Sequence, residues 1–141
     1  MRDLFNFELR PNYPHMNVRD KEIWERFVVK FAGAYQSVQY DFHVGEAPPF
    51  NTLYDDNEDL NQDMLYRLRI DVIGHTSNTI DIIEVKPSAG PSTIGQLESY
   101  KVLYERDEEP QKPIRMVIVT NELKPNMDYL CRAKGIELVV V

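Results

Sequence analysis

The spacing of apolar residues along the chain predicts a series of helices and strands. Between residues 18 and 34, apolar side chains recur every three or four positions, the period of an amphipathic helix, and Asn17 is suited to cap it. Residues 37–44 instead alternate polar and apolar, which is typical of a strand with one buried face. The apolar, β-branched run 79–85 suits a central strand that is buried on both faces.

Turn residues divide the second half of the chain. Residues 65–73 predict a strand that forms a hairpin with strand 79–85 through the turn 74–78. Ser92 or Thr93 then caps a helix that runs to about Glu105. The remaining pattern predicts strand 114–120, a short helix with Pro125 in its first turn and Gly135 at its end, and strand 136–141.

Two segments lack a periodic pattern. Residues 1–16 form an irregular lead-in that contains two prolines near its end. Residues 46–63 contain two prolines and an acidic run, and a loop this long in a compact domain is usually functional or disordered. The acidic run has three interpretations: a solvated loop, a flap near a site, or a surface that restrains DNA binding or docks a basic partner.

The element order predicts an α/β fold in which helices flank a mixed sheet. A length of 141 residues, with 43% hydrophobic and 28% charged residues, fits a single globular domain over 1–141. Cys131 is the only cysteine, which excludes a disulfide scaffold and favours a reducing compartment. No stretch is apolar enough to span a bilayer or to form a signal peptide. We therefore expect a soluble, cytoplasmic protein without a membrane partner.

The net charge of -7 argues against a protein that coats nucleic acid non-specifically, since such proteins carry a basic surface. It leaves open an enzyme that meets nucleic acid at one site through metal ions.

Three charged residues stand where a solvated face is not expected. Asp71 interrupts an apolar strand, and Glu84 lies near the end of the most apolar strand in the chain. A hairpin would bring the two carboxylates close together, where they repel unless a cation lies between them. Oxygen ligands of this kind suit Mg²⁺ or Mn²⁺.

Lys86 follows Glu84 by two residues, so both side chains lie on one face of the strand. There its ammonium group could orient a water molecule or stabilise developing negative charge. Together these residues are the equipment for metal-assisted hydrolysis of a phosphodiester. A surface salt bridge at the end of a strand is the simpler alternative for Glu84 and Lys86.

These motifs resemble the PD-(D/E)XK nuclease superfamily. The residues that carry the resemblance are Ile70-Asp71-Val72, Ile83-Glu84-Val85-Lys86 and Gln96-Leu97-Glu98-Ser99-Tyr100, the last of which is similar to the Q-x-x-x-Y element of RecB-type members. The resemblance covers roughly residues 18–120 and implies a restriction-endonuclease-like core, αβββαβ, with a C-terminal αβ unit. Ile70 replaces the proline that often precedes the first acid.

The resemblance implies a role for each matching residue. Asp71, Glu84 and the carbonyl of Val85 would bind Mg²⁺ or Mn²⁺, and Lys86 would position the attacking water. Gln96 and Tyr100, one helical turn apart, would hold the substrate strand or orient the site. For both residues, packing of the helix on the sheet is the alternative.

A glutamate from the first helix is often added in this superfamily. Here the first helix of the chain offers Glu25 and Glu22. Glu25 is the preferred candidate, because the residues after it are similar to the glutamate-led helix of archaeal Holliday-junction resolvases. Either glutamate could instead be a solvated helix residue.

The resemblance therefore predicts a metal-dependent nuclease that acts on DNA, with RNA left open, and that works as a homodimer or with a protein partner. A phage or mobile-element origin would fit. The alternative is a non-catalytic docking module on the same fold, favoured by the negative net charge. A DNA mimic is the third hypothesis, but the acidic run at 55–63 is short for that role.

Overall fold

The computed structural model of the chain describes residues 3–46 and 68–141. This part has an α/β fold with a five-stranded mixed sheet and three flanking helices, which confirms the predicted class and element order. The predicted acidic loop, apart from Glu46, and the start of the second predicted strand lie outside the described residues. The elements are α1 (Val18–Lys30), β1 (Ser37–Val44), β2 (Leu68–His75), β3 (Ile80–Val85), α2 (Pro91–Glu108), β4 (Ile114–Thr120), α3 (Met127–Ala133) and β5 (Ile136–Val140).

The strands lie in the sheet in chain order, from β1 to β5. β1 and β2, and likewise β2 and β3, pair antiparallel, whereas β3, β4 and β5 are parallel neighbours. β3 is the central strand, and all six of its residues are buried, as its apolar sequence predicted. The charged residues Asp81 and Glu84 are therefore inside the protein.

Each face of the sheet carries its own hydrophobic core. α1 packs on one face through Trp24 and Phe27, against inward residues of the strands such as Tyr40. α2 and α3 cover the opposite face, where Leu97 and Met127 are fully buried. Alternate residues of β3 point into the two cores, so Ile82 lies on the α2 side and Ile83 on the α1 side.

α1 is shorter than the sequence predicted, because it ends at Lys30 and not at residue 34. Phe31 fits the helical spacing, but it is the C-terminal cap, and Gly33 has a positive φ of 86° that ends the helix. At the other end Asn17 and Asp20 form a capping box, since each side chain accepts a hydrogen bond from the other residue's N–H.

α2 begins at Pro91 and runs to Glu108, so the predicted caps Ser92 and Thr93 lie inside it. Gly90 is the residue before the helix, and proline is favoured in the first turn because its missing N–H has no partner there. The hairpin also differs slightly, because β2 continues through His75 and the turn occupies residues 76–79.

Gly74 is required within β2 by a close approach of the α1 face. A Cβ atom at this position would lie 2.5 Å from the ring of Tyr35, which is too close for any side chain. Tyr35 in turn donates a hydrogen bond of 2.7 Å to the fully buried Asp81.

None of the helices in the described ranges is long and apolar enough to cross a membrane.

Candidate active site

The hairpin of β2 and β3 changes its bonding pattern at Asp71 and Glu84. Regular pairing runs from His75 opposite Ile80 to Val72 opposite Ile83, and one further step places Asp71 opposite Glu84. Here the side chains bond to the backbone of the neighbouring strand. Asp71 Oδ2 accepts a hydrogen bond of 2.9 Å from the N–H of Val85, and Glu84 Oε1 accepts one of 3.4 Å from the N–H of Asp71. The two carboxylates predicted to converge are therefore held together.

Burial sets the electrostatics of this pair. It raises the pKa of Asp71, and the negative charges of Asp20 and Asp41 raise it further, while the N–H of Val85 opposes the shift. Burial also raises the pKa of Glu84 well above its ordinary value, and the charge of Asp71 adds to that effect. The protein alone therefore disfavours two ionised carboxylates here, so a proton or a cation is needed between them.

Lys86 and Tyr100 act on the same pair from two directions. Lys86 is exposed at the end of β3, and its positive charge lowers the pKa of Glu84. Tyr100 lies on α2, where it is 6% exposed. Burial raises the pKa of its hydroxyl, and the charges of Glu84 and Asp71 raise it further. Both predicted residues are therefore within electrostatic reach of the carboxylates.

The positions of Val85 and Gln96 leave their predicted roles untested. Val85 is buried, and its N–H is the group that holds Asp71; the role of its carbonyl stays a prediction. Gln96 is exposed on α2, one helical turn before Tyr100. Its predicted contact with substrate also stays a prediction.

The glutamates predicted on α1 have contacts of their own. Glu25 accepts a hydrogen bond of 3.0 Å from the hydroxyl of Tyr13. Glu22 and Glu25 line a shallow groove together with Leu9 and Val29. Neither glutamate is among the charges that shift the pKa of Asp71 most.

Asp20 is the acid of α1 that acts on the site. Its charge is among those that raise the pKa of Asp71, so the two carboxylates influence each other through space. The sequence predicts Asp20 only as a residue of the helix start, and it has that role too, because it completes the capping box with Asn17. A carboxylate in the first turn of a helix can cap the helix and also act on a neighbouring site. The position of Asp20 in that turn was therefore the feature of the sequence that could have indicated its second role.

Asp41 of β1 is a further acid that the sequence argument passed over. It is 8% exposed and lies between the pairs Tyr40–Val72 and Phe42–Ile70, which places it beside Asp71. In an alternating strand it occupies a polar position, and such a position is usually solvated. Asp41, Asp71 and Glu84 thus lie on three adjacent strands.

Comparison of the chain with protein-family models, with curated proteins and with solved structures returns no match. Within the described ranges, no group of three or more His, Cys, Asp or Glu side chains is arranged to hold a metal ion. The site must therefore be judged from its own geometry.

Proposed function

We propose that the protein is a nuclease that depends on a divalent cation, Mg²⁺ or Mn²⁺, and hydrolyses phosphodiester bonds in DNA. The observation that carries the proposal is the pair of cross-strand bonds, from the N–H of Asp71 to Glu84 and from the N–H of Val85 to Asp71, which fixes a half-buried and a buried carboxylate at adjacent positions. We further propose that the five-stranded sheet is a restriction-endonuclease-like core. Support comes from the order of its elements and from the position of the acids on β2 and β3.

The donor set fits a hard divalent cation. Mg²⁺ is commonly bound by one or two carboxylates and keeps several of its waters, so a third protein carboxylate is not needed. Asp71 and Glu84 would supply the carboxylates, and the carbonyl of Val85 would supply a further oxygen. Asp20, whose charge raises the pKa of Asp71, would bind one of the waters and take the place of the helix glutamate predicted as Glu25. When bound, the cation lowers the pKa of water and stabilises charge on the phosphoryl oxygens.

The residues of the chain have distinct tasks in this proposal. The ammonium group of Lys86, on the open end of β3, orients the attacking water and offsets charge on the phosphate. Tyr100 keeps its proton, because burial and two nearby carboxylates raise its pKa, so it can donate a hydrogen bond. Gln96 is exposed on α2, one helical turn before Tyr100, and would contact the DNA strand.

A non-catalytic docking module is the second candidate function. The net charge of -7 favours it, because an acidic protein repels the DNA backbone. Two observations weigh against it. A docking module has no need of two adjacent carboxylates whose pKa values are both raised by burial, nor of a lysine whose charge acts on one of them.

Cleavage assays separate the two candidates. Purified protein would be incubated with Mg²⁺ or Mn²⁺ and single-stranded, duplex, flapped and four-way-junction DNA, with RNA as a further arm. Lys86→Ala is the test variant, and Lys30→Ala, which removes an exposed lysine at the far end of α1, is the matched control. The proposal expects metal-dependent cleavage by the wild type and the control but not by Lys86→Ala. Absence of cleavage in every arm, or equal cleavage by Lys86→Ala, would overturn it.

A further inference from the structure

A second polar cluster lies on β1 and β2, directly beside the carboxylate pair. Arg69 precedes Asp71 by two residues on β2. His43 of β1 lies directly opposite Arg69. The carboxylate of Asp41 lies 3.0 Å from Nε2 of His15 and 3.4 Å from Nε2 of His43. Arg69 Nη1 lies 2.7 Å from Nδ1 of His15. Two imidazoles and a guanidinium group thus converge around one acid.

The backbone is strained at two of these residues. His15 and Asp41 have positive φ angles of 57° and 51°, a conformation that side chains other than glycine rarely adopt. At Asp41 the strand also changes phase, because Tyr40 packs on the α1 side of the sheet and Phe42 on the α2 side. Such strain persists only where the surroundings impose it, and it concentrates at functional sites.

Two nitrogens of the cluster are paired with Asp41 by charge alone. Nε of Arg69 and Nε2 of His43 are buried, and neither makes a hydrogen bond to any described residue. The nearest carboxylate oxygens of Asp41 lie 3.9 Å and 3.4 Å away, without hydrogen-bond geometry. Buried donors are nearly always hydrogen-bonded, so two that lack a hydrogen bond call for an acceptor from outside.

The cluster remains open to solvent. The side chain of His15 is 51% exposed, and those of His43 and Arg69 are 30% and 22% exposed. The guanidinium group of Arg69 brings several N–H donors to this place, and each imidazole beside it adds one, which is the chemistry that recognises phosphate oxygens. Asp41 alone cannot satisfy these donors, because its carboxylate is shared among all three side chains.

We propose that Arg69, His15 and His43 form a phosphate-binding subsite, and that Asp41 is the positioning residue that holds them. The subsite rests on the proposed nuclease function, in which it binds the phosphate next to the one that is cleaved. That phosphate is either an internal phosphodiester or a terminal phosphate monoester of the strand. The subsite would let an acidic protein hold an anionic strand beside its carboxylates.

The first test needs no catalysis. Inorganic phosphate is titrated into the metal-free protein while the imidazole signals of its three histidines are followed by NMR. The signals of His15 and His43 should shift and saturate. His75, which bonds to Gln39 near the other end of β1, is the internal control and should not shift. Equal shifts of all three signals, or no saturation, would overturn the proposal.

Variants then connect binding to the named side chains. Arg69→Gln should abolish the phosphate-dependent shifts, whereas Arg69→Lys should retain part of them because the charge remains. His15→Gln lies in the lead-in and is half exposed, so it provides a second variant if the Arg69 variants unfold. Unchanged shifts of the His43 signal in folded Arg69→Gln and His15→Gln would contradict the assignment.

Kinetics distinguishes failure of the subsite from failure of the nuclease proposal. In an active enzyme, Arg69→Gln should raise KM for DNA about tenfold and change kcat much less. Cleavage with an unchanged KM would overturn the subsite and leave the nuclease standing. Saturable phosphate shifts without any cleavage would leave the subsite and overturn the nuclease. Oligonucleotides with a 5′-phosphate or a 5′-hydroxyl show whether the subsite binds a terminal phosphate or an internal phosphodiester. Only a subsite for a terminal phosphate would give different KM values for the two oligonucleotides.

Discussion

The side chains of Asp71 and Glu84 each accept a backbone hydrogen bond from the neighbouring strand, across β2 and β3. The N–H of Asp71 donates to Oε1 of Glu84 at 3.4 Å, and Oδ2 of Asp71 accepts from the N–H of Val85 at 2.9 Å. These bonds take the place of regular pairing at one end of the hairpin, so both carboxylates are fixed by backbone and not by flexible partners. Four expectations, and a final measurement, follow from this arrangement and its surroundings.

The stability of the metal-free protein should fall as the pH rises. The folded state raises the pKa of Glu84 above its ordinary value of 4.5, so between that pH and the folded-state value only the unfolded state loses the proton. Glu84→Gln removes this titration and should flatten the profile. At about pH 8 it should raise the free energy of unfolding by about 1–3 kcal/mol, the usual penalty of a poorly satisfied buried group. Urea unfolding at about pH 5 and about pH 8 measures both effects.

Glu105→Gln is the matched control for this experiment, because Glu105 is exposed on α2. It should leave the pH profile of the wild type unchanged. A profile that is as steep in Glu84→Gln as in the wild type would show that burial of Glu84 is not its cause.

The acid of α1 that matters for the cation should be Asp20. Asp20→Asn keeps an oxygen that can accept from the N–H of Asn17, so the helix cap is retained while the charge is lost. We expect a loss of about tenfold in cation affinity, as for other groups that orient bound ligands. Glu25→Gln, whose side chain accepts from Tyr13, should bind the cation as the wild type does. The opposite ranking would return the role to Glu25.

Tyr100→Phe tests whether the hydroxyl near the carboxylates has a function. The ring stays in the α2 core, so thermal unfolding should change little, but the rate of cleavage should fall about tenfold for the loss of one donor. Tyr104→Phe, one helical turn further along and packed against Phe42, is the control for the loss of a buried hydroxyl. Equal rates in the two variants would assign Tyr100 to packing.

The ion pair of Asp81 and Arg115 should be structural and independent of the candidate site. Asp81 is fully buried and accepts from Arg115 Nη2 at 2.6 Å and from the hydroxyl of Tyr35. Arg115→Met would leave a buried charge without its cation and should cost about 3–5 kcal/mol of stability. Glu137→Gln breaks only the exposed half of the network and should cost less than about 1 kcal/mol. Urea unfolding of both variants gives the comparison.

Much of the fold was predictable because the strands have distinct patterns of apolar and polar residues: β1 alternates between the two, whereas β3 is mostly apolar. A charged residue in a buried strand also stands out, and this is why Asp71 and Glu84 could be picked out before their contact was known. The end of α1 was placed too late because Phe31 continues the apolar spacing, although Gly33, like Gly135 after the last helix, is a residue that often follows a helix end. Helical period and helix length are different properties of a sequence.

The site residues that were not predicted from the sequence were those whose residue type was already explained by the helix or strand in which they lie. Asp20 was accounted for by the start of α1, and Asp41 and His43 by the polar positions of an alternating strand. Nothing in the sequence signals the positive φ of Asp41 or the change of face that follows it. Contacts between the lead-in and β1, such as His15 with Asp41, depend on long-range packing.

Calorimetric titration of Mn²⁺ into the metal-free protein tests most directly whether Asp71 and Glu84 form a cation site. The account predicts saturable binding with release of protons, because Glu84 must ionise, and strong weakening in Asp71→Asn and Glu84→Gln but not in Lys86→Ala. Binding that is absent from the wild type, or unchanged in Asp71→Asn, would contradict it.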